Sequence, residues 1–405
     1  MSIFSIAGKG LKLDSADDIQ PYLDELTALN NVQHINIMGN TIGIAASEAL
    51  GEALKKQHSL ESINLSDLFT GRLREEIPES LDAILTALLS CKKLHTVDLS
   101  DNAFGIMTID PLEKFLSQHA PLQHLILANN GLGPAAGIRV AHALENLLDA
   151  KKAAGDESKL VTVVCGRNRL ENGSMEAWAK FLAAHGTIKE LRLPQNGIRP
   201  DGIKHLLLHG LSNSPAIEKL DLQDNTFTEI GASALAEVIS NWPKINDLGI
   251  SDCLLSAKGG RLLGDALSKL SPLESFEYLR LQYNEIELNG AEKIFNAIKI
   301  NLPNLKFLEL NGNRFSEDDE IVNEINNFFE ERGFGELDEL DDMEIESEEE
   351  LTESEEELTE SEEEAEVRER LNESILKDAE EEEGSNVATE KSKSVDQLAD
   401  ELRKL

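Results

Sequence analysis

Apolar residues recur along most of this chain in a single phrase, L-x-x-L-x-L-x-x-N-x-L. Leu122, Leu125, Leu127, Asn130 and Leu132 spell it in full. Val32, Ile35, Ile37, Asn40 and Ile42 repeat it with β-branched residues, and Leu94, Val97, Leu99, Asn102 and Phe104 repeat it again. Further copies begin at Leu60, Leu160, Ile188, Ile217, Ile245, Phe276 and Leu305. The L-x-L core of each copy alternates as a strand does, with two apolar side chains on one face. The asparagine ends the strand, because its amide can satisfy backbone groups in a turn that lacks ladder partners. The rest of each unit has helical spacing, as in Ile203, Leu206, Leu207 and Leu211, or Ala232, Leu235, Ala236 and Ile239.

One such unit cannot bury its own apolar edge, so the units must stack. Most copies start about 28–29 residues after the one before, within the range of leucine-rich repeats. The expected fold is an α/β leucine-rich-repeat solenoid of the long, helix-bearing, ribonuclease-inhibitor-like kind. It would be a horseshoe with parallel strands on the concave face and helices on the convex face. Residues 1–31 are expected to form an N-terminal cap, with strand-like SIAGKGLKL and a helix N-capped by Ser15. Residues 32–332 form the solenoid, closed by a helix from Glu320, and residues 333–405 form a mostly disordered acidic tail.

Departures from the phrase locate candidate chemistry. In the unit at Leu60, Leu68 replaces the asparagine and FTGRLREEIPES comes next, about six residues more than the repeat needs. This enlarges one rim and presents Arg72 and Arg74. The unit at Leu122 carries its surplus, DAKKAAGDESK, after the helix, and it reads as a mobile polar connector on the opposite rim. The positions just before the consensus asparagine end each strand and face outward on the rim. They include Asp101, Asn129, Arg167, Gln195 and Asp224. The turn has no need of an asparagine at 129. With strands about 4.8 Å apart, Arg72, Asp101, Asn129 and Arg167 fall close enough to form one polar patch. Arg169 is likewise surplus to the fold, and the charged strand residues Arg192, Asp221, Arg280 and Glu309 are expected to face the hollow.

The net charge is −38, which disfavours nucleic acid and anionic membrane as partners, since both demand Lys and Arg. Glu336 to Glu383 hold 26 acidic and 3 basic residues, a block that repels itself. Within it Ser347, Ser354 and Ser361 each precede three glutamates and suit an acid-directed kinase, and Ser394 to Leu405 has a short helical spacing. Three cysteines make no disulfide framework and fit a reducing compartment. No leader or lipidation box is visible. P-loop, GxSxG, HExxH and CxxC motifs are absent, and the scattered histidines offer no metal set. These residues read as a recognition scaffold rather than an enzyme.

Longer strings add to this reading. FTGRLREEIPES, LSDNAFG, NNGLGP, CGRNRLENGSMEAWAK, QNGIRP, LDLQDNTFT and LELNGNRFSEDD resemble the yeast-type Ran GTPase-activating proteins, with similarity running through essentially the whole chain. The resemblance implies stimulation of GTP hydrolysis by Ran in the cytoplasm or close to the nucleus, maintaining the Ran-GTP gradient of nucleocytoplasmic transport. It implies Ran in its GTP form as the partner, alone or with a Ran-binding protein. No cofactor of the chain's own is implied, since GTP and magnesium belong to the GTPase. Arg72 matches the family arginine once considered as a finger. The family view is that none is supplied, and that the asparagine matching Asn129 holds Ran's catalytic glutamine, which orients the attacking water. Arg72 then serves the loop and docking. Asp101, Arg167, Arg169, Gln195 and Asp224 are the expected partner-binding residues of a monomeric activator. Two other readings stay open on the residues alone: a non-catalytic repeat scaffold, and a chaperone of basic proteins acting through the acidic tail.

Overall fold

A computed structural model describes residues 2–344. The residues from 345 on, with Ser347, Ser354, Ser361 and the Ser394–Leu405 stretch, lie outside the described residues. Twelve parallel strands form one sheet, ordered as they occur in the chain. They are Ser2–Ser5, Val32–Asn36, Ser62–Asn64, Thr96–Asp98, His124–Ile126, Thr162–Val164, Glu190–Arg192, Lys219–Asp221, Asp247–Gly249, Tyr278–Arg280, Phe307–Glu309 and Glu336–Leu337. The middle residue of each short repeat strand pairs with its counterpart, as Val97, Leu125 and Val163 do, and is buried. Helices need roughly 8–10 Å between axes while strands need about 4.8 Å, so the stack bends with its helices outside. No described helix is long and apolar enough to cross a membrane.

Buried asparagines join the repeats. Asn168 Nδ2 donates to Leu127 O in the preceding unit at 2.8 Å, and its Oδ1 accepts from Asn130 N at 3.0 Å. Asn102, Asn130, Asn196, Asn225, Asn284 and Asn313 have equivalent places in this ladder. Cys253 takes one asparagine place, its thiol donating to Leu222 O at 3.4 Å, and burial pushes that thiol up to about 12. The opposite rim holds a second set of inter-repeat links. Near the end of six described helices a side-chain donor reaches a carbonyl of the previous unit or, at His119, of the first residue of its own unit. Cys91 Sγ reaches Leu54 O (3.5 Å), His119 Nε2 reaches Leu94 O (2.7 Å) and Lys151 Nζ reaches Ala120 O (2.5 Å). His185 Nε2 reaches Leu144 O (2.7 Å), Trp242 Nε1 reaches Leu211 O (2.9 Å) and Asn301 Nδ2 reaches Leu267 O (2.9 Å). The five that link units use five residue types for one task, so no consensus letter marks it.

The structure departs from the sequence expectations in three places. SIAGKGLKL is strand only at its ends. Its Ser5 closes the strand Ser2–Ser5, which extends the main sheet, and Lys12–Leu13 pairs with Thr41–Ile42. The Ser15 cap is present, as a capping box with Asp18.

The polar connector in the unit at Leu122 is not a loop at its start. Asp149–Ala154 complete a helix that spans Gly133–Ala154 and stops at Gly155 in the left-handed conformation (φ 64°). Alanine and lysine favour that continuation, and buried Lys151 anchors it to the preceding repeat.

The third departure concerns the tail, whose expected start at 333 is too early. After the Glu320–Arg332 helix the chain adds the twelfth strand and a covering segment through Glu344. Its acidic residues have specific donors. Asp338 accepts from Leu310 N (2.7 Å), Asn311 N (3.1 Å) and Gln282 Nε2 (2.8 Å), while Asp341 accepts from Asn311 Nδ2 (2.8 Å). Leu340 is buried beneath them. Composition registers the charge and misses that the last sheet edge supplies unpaired N–H groups for carboxylates to cap.

Candidate functional site

The concave floor is already occupied by its own contacts. Arg192 pairs with Glu190 (2.6 Å) and Arg280 with Asp247 (2.7 Å), while Asp221 accepts from Gln223 Nε2 (3.0 Å). His124 Nδ1 lies 3.0 Å from Thr162 Oγ1, and His95 Nδ1 lies 2.9 Å from Thr96 Oγ1. Of the charged residues expected to face the hollow, Arg192, Asp221 and Arg280 therefore already have side-chain partners of their own on the sheet.

The rim is different. Every residue just before the consensus asparagine has a left-handed backbone: Asp101 (φ 61°), Asn129 (55°), Arg167 (56°), Gln195 (53°) and Asp224 (53°), as do Asp252, Tyr283 and the glycines 39 and 312. The strand must turn sharply out of the sheet here, and that conformation favours Gly, Asn and Asp. Asn129 thus also suits its backbone, which corrects the expectation that the turn has no need of it. Arg167, Gln195 and Tyr283 show that the geometry tolerates other residues where packing fixes it. All five of the named non-glycine positions from 101 to 224 are exposed or half-buried. Asp224's carboxyl is held above the usual range, by desolvation first and then by the neighbouring Asp252 carboxylate.

The enlarged loop is firmly seated. Leu68 and Phe69 are buried, and the Phe69 ring lies 6.2 Å from that of Phe104. Arg72 turns back beneath the loop towards the N-terminal cap. Its Nε donates to Thr41 Oγ1 (2.8 Å), Nη2 to Thr41 O (3.0 Å) and Nη1 to Asp14 Oδ1 (2.5 Å). Gly43 leaves room for this, since a Cβ there would sit 3.1 Å from Nη1. The Arg72 guanidinium holds the Asp14 carboxyl below the usual carboxylate range, with Lys12 adding to the effect.

Between this loop and the next turn lies a cleft of about 710 Å³, lined by Phe69, Arg74, Asp101, Phe104, Met107 and Asn129 among others. Leu73 and Met107 are 67% and 69% exposed, and Ile106 is about half exposed. Asn129 Nδ2 donates to Asp101 Oδ1 at 2.8 Å.

The expected patch of four is therefore a pair with neighbours. Asp101 and Asn129 meet, Arg72 lines the same cleft while its guanidinium is bound to Thr41 and Asp14, and Arg167 stands one unit further along without lining the cleft. Arg169 lies 3.6 Å from Glu171 on the same rim, and Gln195 and Asp224 come in the next units. Sequence reasoning named Arg74 on the loop but missed the place of Ile106 and Met107 at this cleft. The last two break the repeat pattern directly after Phe104, and that break is the signal that could have found them.

Comparison with known proteins adds a family to this geometry. A leucine-rich-repeat model matches residues 213–236 and 273–295. Ran GTPase-activating protein 1 of Saccharomyces cerevisiae is 42% identical over 337 residues, covering 81% of this chain and 82% of the yeast protein. This chain belongs to the Ran GTPase-activating protein family. Ran GTPase-activating protein 2 of Caenorhabditis elegans is 46% identical over 201 residues, 49% of this chain and 21% of the worm protein. Among solved structures, an internalin of Listeria monocytogenes aligns with a TM-score of 0.48 at 18% identity, covering 86% of this chain and 82% of that one.

Proposed function

We propose that this chain stimulates GTP hydrolysis by Ran, and that it does so by ordering the GTPase's own catalytic glutamine through Asn129 rather than by supplying an arginine finger. Family membership supports Ran as the substrate GTPase. The observation that carries the mechanism is an exposed rim amide at 129 beside an open cleft, while Arg72 is bound by Asp14 of the cap and Thr41 of the first repeat. A finger must reach transition-state charge, and Arg72 would have to give up those bonds to do so. Holding a group the partner already owns lowers the barrier by fixing its orientation, which an amide on a rigid rim suits.

The exposed apolar residues Ile106 and Met107 give the partner a dry contact in the cleft. Ran in its GTP form is the species engaged, alone or with a Ran-binding protein, and the working form is a monomer that needs no cofactor of its own. The activity belongs in the cytoplasm, extending to the nuclear periphery.

Phosphate release from GTP-loaded Ran, measured with catalytic amounts of this protein, tests the activity. A pure scaffold or a chaperone of basic proteins gives no acceleration. For the mechanism, Asn129→Ala is expected to lower the single-turnover rate at saturation with a smaller loss of Ran-GTP binding. A wild-type rate removes Asn129 from the mechanism.

A further inference from the structure

We propose that Asp101 is a positioning residue. It fixes the Asn129 amide with its nitrogen turned along the rim, so that Oδ1 is the atom offered to the partner, and the site therefore takes a hydrogen-bond donor. This rests on the reading in which Asn129 touches the GTPase's glutamine, and it specifies which end of each amide meets the other.

An amide has a donor end and an acceptor end of almost the same shape, and nothing intrinsic to an exposed asparagine chooses between them. An ionised carboxylate does choose, because it can only accept. With Asp101 Oδ1 2.8 Å from Asn129 Nδ2, the flipped amide would set two acceptor oxygens against each other. Both side chains are short and stand on left-handed backbone (φ 61° and 55°) one repeat apart, with their own N–H groups bonded to Ala128 O and Gly166 O at 2.9 Å. A pair built this way has few torsions left to vary. Asn129 Oδ1 has no donor among the described residues.

The partner group complementary to that oxygen is an N–H. For a glutamine side chain this means its NH₂ faces Asn129 and its carbonyl oxygen is left to accept a proton of the attacking water. The opposite arrangement would occupy the carbonyl and leave the NH₂, which has no lone pair to offer the water. Asp101 in this scheme acts on Asn129 and need not touch Ran, so its role differs from that of a docking contact.

The test is single-turnover hydrolysis by GTP-loaded Ran across a range of activator concentrations, with the full chain and its variants. Asp101→Ala and Asp101→Asn should each lower the saturating rate by about tenfold, the loss expected from one misdirected orienting hydrogen bond. The half-saturating concentration should change less than about twofold, because uniform binding is untouched. Asn129→Asp alone sets two carboxylates together and should be poor. The exchanged pair Asp101→Asn with Asn129→Asp restores one donor between the positions and an acceptor at 129, and should recover at least about fivefold over Asn129→Asp.

A wild-type saturating rate for Asp101→Ala overturns the proposal, as does a loss confined to the half-saturating concentration or an exchanged pair no better than Asn129→Asp. Asn129→Ala separates the two levels. If that variant keeps the wild-type rate, the glutamine-ordering reading itself fails. If it loses the rate while Asp101→Ala does not, only the positioning role fails.

Discussion

Arg72 and Asp14 lie 58 positions apart in the chain, yet the guanidinium of one meets the carboxylate of the other at 2.5 Å. The arginine side chain is 8% exposed. The loop that distinguishes this solenoid is thereby tied to the cap of its first repeat. Removing Arg72 takes the side-chain donor from Thr41 O, leaves the Asp14 carboxylate to Lys12 alone and frees the loop at its root. Arg72→Ala is expected to lower Tm by about 2–4 °C and to raise the concentration of GTP-loaded Ran needed for half-maximal stimulation more than it lowers the saturating rate. Differential scanning calorimetry together with single-turnover assays checks this. A loss of roughly 10³-fold in the saturating rate with unchanged affinity would instead mark a transition-state arginine.

Exposed Ile106 and Met107 line the same cleft as Arg74 and Asn129. Placing a charge on this apolar contact should impair docking more than chemistry. Met107→Asp and Ile106→Asp should each weaken Ran-GTP affinity by about tenfold, in the range of a modest hot spot. Arg74→Ala should act in the same direction, with the saturating rate largely kept. Titration calorimetry or surface-based binding with a non-hydrolysable GTP analogue gives the affinities, and the melting temperatures of these exposed variants should stay at the wild-type value.

His119 is buried against Phe115, with ring centroids 4.8 Å apart, and its Nε2–H donates to Leu94 O while Nδ1 has no partner among the described residues. Burial lowers its pKa to about 4. The folded value lies below the unfolded one, so the unfolded chain binds the proton more readily. Stability is fully present above about pH 6.5 and is lost as pH falls from there through about 4, by up to about 3 kcal/mol from this one group. His185 repeats the arrangement with Leu144 O and shifts in the same direction for the same reason. His119→Gln should flatten the decline between pH 6.5 and 4.5 in urea-unfolding midpoints, even where it lowers stability at pH 7.5. An unchanged slope in the variant would show that protonation of His119 does not drive the acid loss.

The boundary of the folded unit can be tested by cutting on either side of the twelfth strand. A chain ending at Glu344 keeps the Asp338 and Asp341 caps and buried Leu340, and should melt within about 1–2 °C of the full chain with its Ran stimulation largely intact. A chain ending at Arg332 uncovers Phe307–Glu309 and leaves Leu310 N and Asn311 N without acceptors. It should melt several degrees lower and aggregate through the bare edge. Light scattering and thermal unfolding distinguish the two. The first truncation also separates an activator from a chaperone that works through its acidic tail.

The repeat was legible because it is written in one alphabet. Leucine at the strand core and asparagine at the turn recur, and their spacing dictates stacking. The enlarged loop, the Ser15 cap and the rim residues from Asp101 to Asp224 could be found because they interrupt that alphabet. The features that could not be read depend on partners in another unit. Nothing near Arg72 in sequence points to Asp14. Cys91, Lys151 and Trp242 share one job without sharing a letter. The acids after Arg332 resemble those further on in composition, and only contact with N–H donors at the sheet's end gives Asp338 and Asp341 their place. The left-handed rim was half visible in its Gly, Asn and Asp, and was disguised by Arg167, Gln195 and Tyr283.

The positive φ repeated along the rim makes this edge a rack of evenly spaced pegs. Each unit can exchange its peg for another residue while the backbone beneath it keeps its course. Recognition here can accordingly be retuned one notch at a time, and swapping the peg of a distant unit should alter which surface is gripped without disturbing the amide that does the work.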